Sequence, residues 1–278
     1  MNAMIAITEV LKKPYVVMGI VNVTPDSFYD GGRYGNVDVA VEHAKKLMSE
    51  GADIIDIGGA SSRPGAEIVS PDEEAGRVIP VVQAMSKEPV LISVDTTHES
   101  VARLALDAGA AIINDISAGR GDPRMPSLAA ESGCAMVLMH SRRTPQTMQR
   151  ETKYVDVVSE VKKELMDAVG LFLKCGVARE RIIIDPGIGF AKTAAQNITL
   201  LRGLPAFTGT GFPVLIGTSR KSFIGALTGR DAPHRLAGTL GSVAAAFKRG
   251  ARIFRVHDVA ATVDFLKVLY EIECHDKC

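Results

Sequence analysis

Short apolar runs and amphipathic stretches alternate along the chain, with glycines placed between them. The segments EGADIIDIGG, AGAAIIND, SGCAMVLMH, CGVARERIIIDPG and RGARIFRVHD share one order: the end of a helical pattern, a glycine, then a run of mostly apolar residues. Gly51, Gly109, Gly133, Gly176 and Gly250 stand where a helix ends on a residue of positive φ, which glycine adopts without a Cβ clash. The runs after them are nearly continuous in Ile, Val and Ala, as in parallel strands covered on both faces. Eight such runs lie near residues 16–22, 53–58, 91–95, 111–115, 135–139, 181–185, 213–218 and 253–257.

Helices are predicted between them. Val37, Ala40, Val41, Ala44 and Met48 share a face that Glu42, Lys45, Lys46 and Glu50 avoid. Ser70, Pro71 and Glu73 have the cap, first-turn proline and N3 carboxylate of a capping box. A longer helix is predicted from about Tyr154 to Lys174, with Val158, Val161, Leu165, Val169, Phe172 and Leu173 as its buried stripe. Eight strand–helix units in 278 residues predict an α/β fold of the (β/α)8 TIM barrel type, one domain over residues 1–278. A doubly wound open sheet is the competing architecture, but no GxGxxG turn follows the first strand.

Composition narrows the function classes. Hydrophobic residues at 46% and charged residues at 23% suit a soluble domain with a large core. Lys plus Arg and Asp plus Glu balance at 32 each, so no overall field draws the chain to nucleic acid or an anionic membrane, and any anion site must be local. The segment MNAMIAITEVLKKPY lacks the pattern of a secretory signal, and no apolar run approaches the roughly 18 residues of a membrane span, so a cytoplasmic location is expected. Cys134, Cys175, Cys274 and Cys278 form no CxxC pair and are expected to be reduced thiols.

Polarity appears at the ends of the strands, in Asn22, Asp56, Asp95, Asn114, His140, Asp185, Ser219 to Lys221, and His257. Any one of these could cap a helix or satisfy a loop amide. In a parallel barrel, however, all the strand ends converge on one rim, where a substitution affects chemistry more than folding. Arg255 and His257 lie two apart on one strand and face the same side, which suits the grip of an anion. Pro186 and Gly187 form a turn that aims Asp185 inwards. Ser222 opens the helix after the seventh strand, where free backbone amides attract a carboxylate. The polar segment TPDSFYDGG reads as a mobile lid.

In order and spacing, GIVNVTPDSFYDGG, SSRPGA, SVDT, NDIS, DPGIGF, SRKSFIG and RVHD resemble the dihydropteroate synthase family over nearly the whole chain. The resemblance implies a transferase of folate biosynthesis. With the help of Mg²⁺, it would join 6-hydroxymethyl-7,8-dihydropterin diphosphate to 4-aminobenzoate, and sulfonamides would compete for the benzoate pocket. Asp95, Asn114 and Asp185 would read the pterin edge, with Lys221 donating to the pterin and Met139 packing near its ring. Ser62, Arg63, Arg255 and His257 would hold the diphosphate, and Asn22 would offer an oxygen to Mg²⁺. Pro64, Phe190, Lys221 and Ser222 would form the 4-aminobenzoate pocket. In the lid, Asp30 would face the cationic methylene and Phe28 would help close the pocket. A homodimer through outer helices late in the chain is also implied.

Three segments depart from the family pattern: GGASSRPG, with Ala60 and Ser62 where a Glu-Ser-Thr triplet is usual before Arg-Pro-Gly, the lid, with Tyr29 where a small serine is common, and MHSRRTPQTMQ, with Arg143 where glycine is usual. Three other readings compete. A methyltetrahydrofolate corrinoid methyltransferase would share the pterin carboxylates but has no diphosphate to hold. A non-catalytic pterin-binding paralogue is given some standing by Ala60 and Arg143. A Schiff-base role for Lys221 is disfavoured by Arg220 and the Ser222 helix start, which suit anion binding.

Overall fold

Successive side chains along each strand enter two separate apolar compartments, following the period-two geometry of a β-strand. In the computed structural model, which describes residues 3–24, 33–60, 69–142 and 152–274, the strands are β1 (Val16–Asn22), β2 (Ile54–Gly58), β3 (Leu91–Asp95), β4 (Ile112–Asp115), β5 (Ala135–Met139), β6 (Ile182–Asp185), β7 (Leu215–Ile216) and β8 (Ile253–Val256). Val16, Met18, Ile54, Ile112, Val137, Ile183, Leu215 and Ile253 pack together on the inside, where Ile7 of helix α1 (Ala3–Leu11) joins them. Val17, Val21, Ile55, Ile57, Val94, Leu138, Ile184 and Phe254 face outwards into a larger core shared with the surrounding helices.

All the strands pair in parallel, in the order β6-β5-β4-β3-β2-β1-β8-β7. The seam between β6 and β7 closes through a parallel bridge between Ile184 and Val214, with the Ile184 N–H donating to the Pro213 carbonyl at 2.9 Å. The barrel is therefore shut, as expected, but β7 is two residues long where the sequence suggested six. Pro213 has no N–H to give to a ladder, and Thr218 bonds through its side chain to Ser242 at 2.8 Å.

The helical shell comprises α2 (Arg33–Ser49), α3 (Pro71–Met85), α4 (Glu99–Asp107), α5 (Met125–Ser132), α6 (Val157–Lys174), α7 (Ala194–Arg202), α8 (Pro205–Thr208), α9 (Ser222–Thr228), α10 (Leu236–Phe247) and α11 (Val259–Cys274). The five glycines expected to stop helices all have positive φ, between 66° and 114°.

Three details differ from the sequence reading. On α2 it is Leu47, with Ala40 and Ala44, that is fully buried, while Met48 is half-buried. The stripe of α6 runs through Val157, Val161, Leu165, Val169 and Phe172, leaving Leu173 37% exposed at its edge. Ser70 caps α3 by accepting from the Glu73 N–H at 3.3 Å, but the Glu73 carboxylate pairs with Arg77 one turn on, which draws it away from the cap. A complete capping box forms instead at Thr193 and Gln196 on α7.

Among the described residues no helix is long and apolar enough to cross a membrane. Cys134, Cys175 and Cys274 are free thiols.

Phe172 is fully buried between α6 and the sheet, so Phe172→Ala should lower the unfolding free energy by about 3–5 kcal/mol. Urea denaturation checks this, with the midpoint falling and the slope unchanged.

Candidate active site

At the carboxyl ends of the strands the inward positions change from apolar to polar. The sheet register runs Asn22 to Gly58, Gly58 to Asp95 and Asp95 to Asn114, which sets one layer of the mouth across β1 to β4. Asp185 ends β6 opposite Met139 of β5. Arg255 starts lower, level with Met18, and its long side chain reaches up into the layer.

A buried carboxylate anchors this arrangement. Asp56, fully buried, accepts from Arg255 Nε at 2.6 Å, Asn114 Nδ2 at 3.0 Å and Ser93 Oγ at 2.6 Å. A second guanidinium nitrogen, Nη2, donates to Asp95 at 3.0 Å. Burial opposes the charge on Arg255, but the Asp56 and Asp95 carboxylates outweigh it and raise its pKa, so it stays a cation. Burial also raises the pKa of Asp95, against the pull of Arg255.

Asp185 is also buried. Its Oδ1 accepts the Gly187 N–H at 2.7 Å, the turn expected from Asp-Pro-Gly. Burial raises its pKa, opposed by that N–H and by the positive charges of Lys221, Lys192 and Arg255 around it. The Lys221 ammonium lies 4.0 Å from the centre of the Phe190 ring, and its own pKa is lowered by burial while Asp185 pulls the other way. Met139, Phe190 and Ala191 form a small apolar cluster beside them. Ser222 is exposed at the first turn of α9, directly after Lys221.

His257 is held at the rim by Ser219. The Ser219 hydroxyl oxygen accepts the His257 backbone N–H at 3.1 Å and lies 2.9 Å from Nδ1. With the hydroxyl proton on the Nδ1 bond, Nε2 carries the ring hydrogen and can donate it outwards. Burial, aided by the charge of Arg255, pushes the imidazole pKa down to about 4. Of the two, Arg255 therefore brings the charge and His257 a neutral N–H.

Other expectations also change. Arg220 is not available as an anion ligand, because its guanidinium is paired with Asp258 at 3.0 and 2.5 Å. Its φ of 58° turns the chain so that Arg220 points to α11 and Lys221 to the mouth. His140 follows Met139 on β5 and therefore faces the helices, where Nε2 meets Glu164 of α6 at 3.0 Å. Arg255 is tied to a fully buried carboxylate, so its removal would disturb the fold as well as the chemistry. Phe28, Asp30, Ser62, Arg63 and Pro64, with Tyr29 and Arg143, lie outside the described residues.

The structure thus brings Asp95, Asn114, Met139, Asp185, Phe190, Lys221, Arg255 and His257 to one end of the barrel, with Asn22 in the same layer. Sequence reasoning gave Asp56 no role, although in IIDIG it shares the inner face with Ile54 and Gly58. It also missed Ser219 as the support for His257, and Lys192. Among the described residues no group of three or more His, Cys, Asp and Glu side chains could hold a metal ion. The donor offered here is the neutral amide of Asn22, which fits a Mg²⁺ ion held mainly by phosphate oxygens and water.

Comparison with known proteins agrees with this geometry. A family model described as pterin binding enzyme matches residues 18–257. The dihydropteroate synthase of Synechocystis sp. is 50% identical over 259 residues, covering 92% of this chain and 89% of that protein. The structure of Xanthomonas albilineans dihydropteroate synthase with 4-aminobenzoic acid matches with a TM-score of 0.89 at 45% identity, covering 95% of this chain and 94% of that one. The same organism's enzyme in complex with 7,8-dihydropteroate gives a TM-score of 0.85 at 43% identity, covering 94% of each chain.

The depressed pKa of His257 has a consequence for stability. The unfolded chain binds a proton on this ring below about pH 6.5 and the folded chain only below about pH 4, so its contribution to stability is present above 6.5 and lost as pH falls through 4. His257→Gln should therefore show a shallower fall in stability between these pH values than the unaltered chain, as measured by urea denaturation at a series of pH values.

Proposed function

The chain belongs to the pterin-binding enzymes, and from that premise we propose that it is a dihydropteroate synthase. The enzyme joins 6-hydroxymethyl-7,8-dihydropterin diphosphate to 4-aminobenzoate and releases 7,8-dihydropteroate and diphosphate, a step of folate biosynthesis. The observation that carries this reading is the meeting, in one mouth, of three groups suited to a pterin edge with a preoriented arginine and an aromatic-backed lysine.

The residues divide the work. Asp95, Asn114 and Asp185 offer the acceptors and donors that the aminopyrimidine edge of a pterin requires, with Lys221 donating to the pterin and Met139 packed against its ring. Arg255 and His257 face the leaving diphosphate, joined by Ser62 and Arg63, and Asn22 offers an oxygen to Mg²⁺. When bound, that ion supplies positive charge to the diphosphate. Phe190, the Lys221 stem, Pro64 and Ser222 would take 4-aminobenzoate, with Phe28 assigned to that pocket and Asp30 to the cationic methylene by the family resemblance.

The arylamine nitrogen is neutral near pH 7 and attacks the methylene carbon through its lone pair. The C–O bond to diphosphate breaks with positive charge developing on the methylene carbon, which the electron-rich pterin supports; the amine lone pair forms the new C–N bond, and the surplus proton leaves the nitrogen for water. No general base is needed; holding the leaving anion and excluding water are the main tasks. A methyl transfer to a corrinoid would leave Arg255 and His257 with no anion to hold.

We also read residues 1–278 as a single domain, active in the cytoplasm as a homodimer. The dimer reading is supported by an apolar groove between α7, α9 and α10, lined by Ile198, Leu201, Phe223, Ile224 and Leu227, the last 66% exposed.

The test is incubation with the pterin diphosphate, labelled 4-aminobenzoate and Mg²⁺. Labelled dihydropteroate is the expected product, sulfonamides should compete with 4-aminobenzoate, and absence of product beside an active reference synthase would reject the assignment. Ser222→Ala should raise the KM for 4-aminobenzoate. Arg255→Ala should lower turnover by roughly 30- to 1000-fold, the range for losing a charged contact to the leaving group, and should also lower the melting temperature because Asp56 is left unpaired.

A further inference from the structure

Lys192 is 3% exposed, and none of the roles above uses it. Its Nζ donates to the carbonyl oxygens of Phe190 at 2.8 Å and Gly187 at 3.0 Å, and lies 3.1 Å from Nδ1 of His140. An ammonium has three donors, so these three acceptors satisfy it. From His140 the contacts continue outwards: Nε2 meets Glu164 of α6, and Glu164 accepts from Arg142. The lysine therefore ties the inner loop after β6 to the helical shell.

Lys192 acts beside other contacts that shape this loop, the Asp185 carboxylate on the Gly187 N–H among them. Ala191, between Phe190 and Lys192, has φ of 51°, in the left-handed region that a residue with a Cβ adopts only under constraint. It sends the two neighbouring side chains apart, Phe190 towards Lys221 and Met139, and Lys192 beneath the loop. Gly187 passes so close to His140 that a Cβ would come within 2.0 Å of the His140 carbonyl oxygen. Asn197 of α7 accepts the Gly189 N–H at 2.7 Å and holds the loop from the other side. Without Lys192, the Phe190 carbonyl would lose its Nζ donor, and the Gly187 carbonyl would keep only the Phe190 N–H at 3.2 Å.

We infer that Lys192 is a positioning residue for the second substrate. Its ammonium draws the Gly187 and Phe190 carbonyls under the loop and thereby fixes the Phe190 ring against Lys221, the surface on which the aromatic amine lies. The link to substrate rests on the function proposed above; the clamp itself rests on the contacts alone.

Lys192→Met keeps the length of the side chain and removes its donors, and Lys192→Gln keeps an amide donor. The first should raise the KM for 4-aminobenzoate by roughly tenfold, as loss of a hydrogen-bond-sized contribution does, with a much smaller change for the pterin diphosphate, and the second should fall between it and the parent. The chain has no tryptophan, so Phe190→Trp provides a single fluorescent reporter in the loop. Adding Lys192→Met to that reporter should shift its emission to the red and increase quenching by acrylamide.

An unchanged reporter, or equal changes in both KM values, would overturn the clamp. Should Lys192→Met fail to fold, hydrogen exchange of Lys192→Gln against the unmodified chain decides: faster exchange of the Gly187, Gly189 and Phe190 amides in the variant supports the clamp, and unchanged exchange overturns it. No turnover by the unmodified chain counts against the proposed function instead, and the reporter still judges the clamp.

Discussion

One buried carboxylate organises the mouth of this barrel. Asp56 has no contact with water and receives three donors from three other strands, Ser93 on β3, Asn114 on β4 and Arg255 on β8. A charge in that position is tolerable because a guanidinium matches it and two further hydrogen bonds use its remaining lone pairs. Such a pair adds little net stability over a well-packed apolar core. Its effect is geometric: it fixes Arg255 before any ligand arrives, with Nη2 of the guanidinium on Asp95. A cation already oriented and partly desolvated needs little rearrangement when negative charge develops on a leaving group.

The same alternation that sorts the apolar residues also sorts the charges. Inward positions near the carboxyl ends carry the ligand-facing set, while the outward neighbours His140 and Asp115 bond to helices and loops. Asp115 accepts from Ser117 and Gly119. The ion pairs of Arg220 with Asp258 and of Arg142 with Glu160 and Glu164 belong to this outer system. At Ala191 and Arg220 a left-handed backbone turns the chain between the two systems, and in each case the next residue is a lysine: Lys221 on the inner side, Lys192 between the loop and His140. Lys192 supports the loop from below, and Lys221 lies over the ring that the loop presents.

Much of this was legible in the sequence because it depends on local rules. Glycine at a helix end, unbroken apolar runs and a 3.6-residue stripe are properties of a few neighbouring residues, and they yielded the eight strands and most of the helices. The motifs at the strand ends likewise pointed to the residues that meet in the mouth. Errors arose where two local rules competed, as at Ser70, where the Glu73 carboxylate turned to Arg77, and at β7, where Pro213 removed a ladder donor.

What the sequence alone determined was which side chains occupy the ends of the strands; what the tertiary structure decided was which of them are still free to meet a ligand. Arg255 and Asp56 are 199 residues apart, and their contact follows from closure and register, which no short segment encodes. Arg220 looks like an anion ligand until α11 supplies Asp258, and His140 looks like a rim residue until the pleat turns it to Glu164. Lys192 gains its place only when the loops after β5 and β6 come together. In each case the reason is that a charged side chain takes its role from the partners that burial forces on it, and those partners are set by the closed sheet.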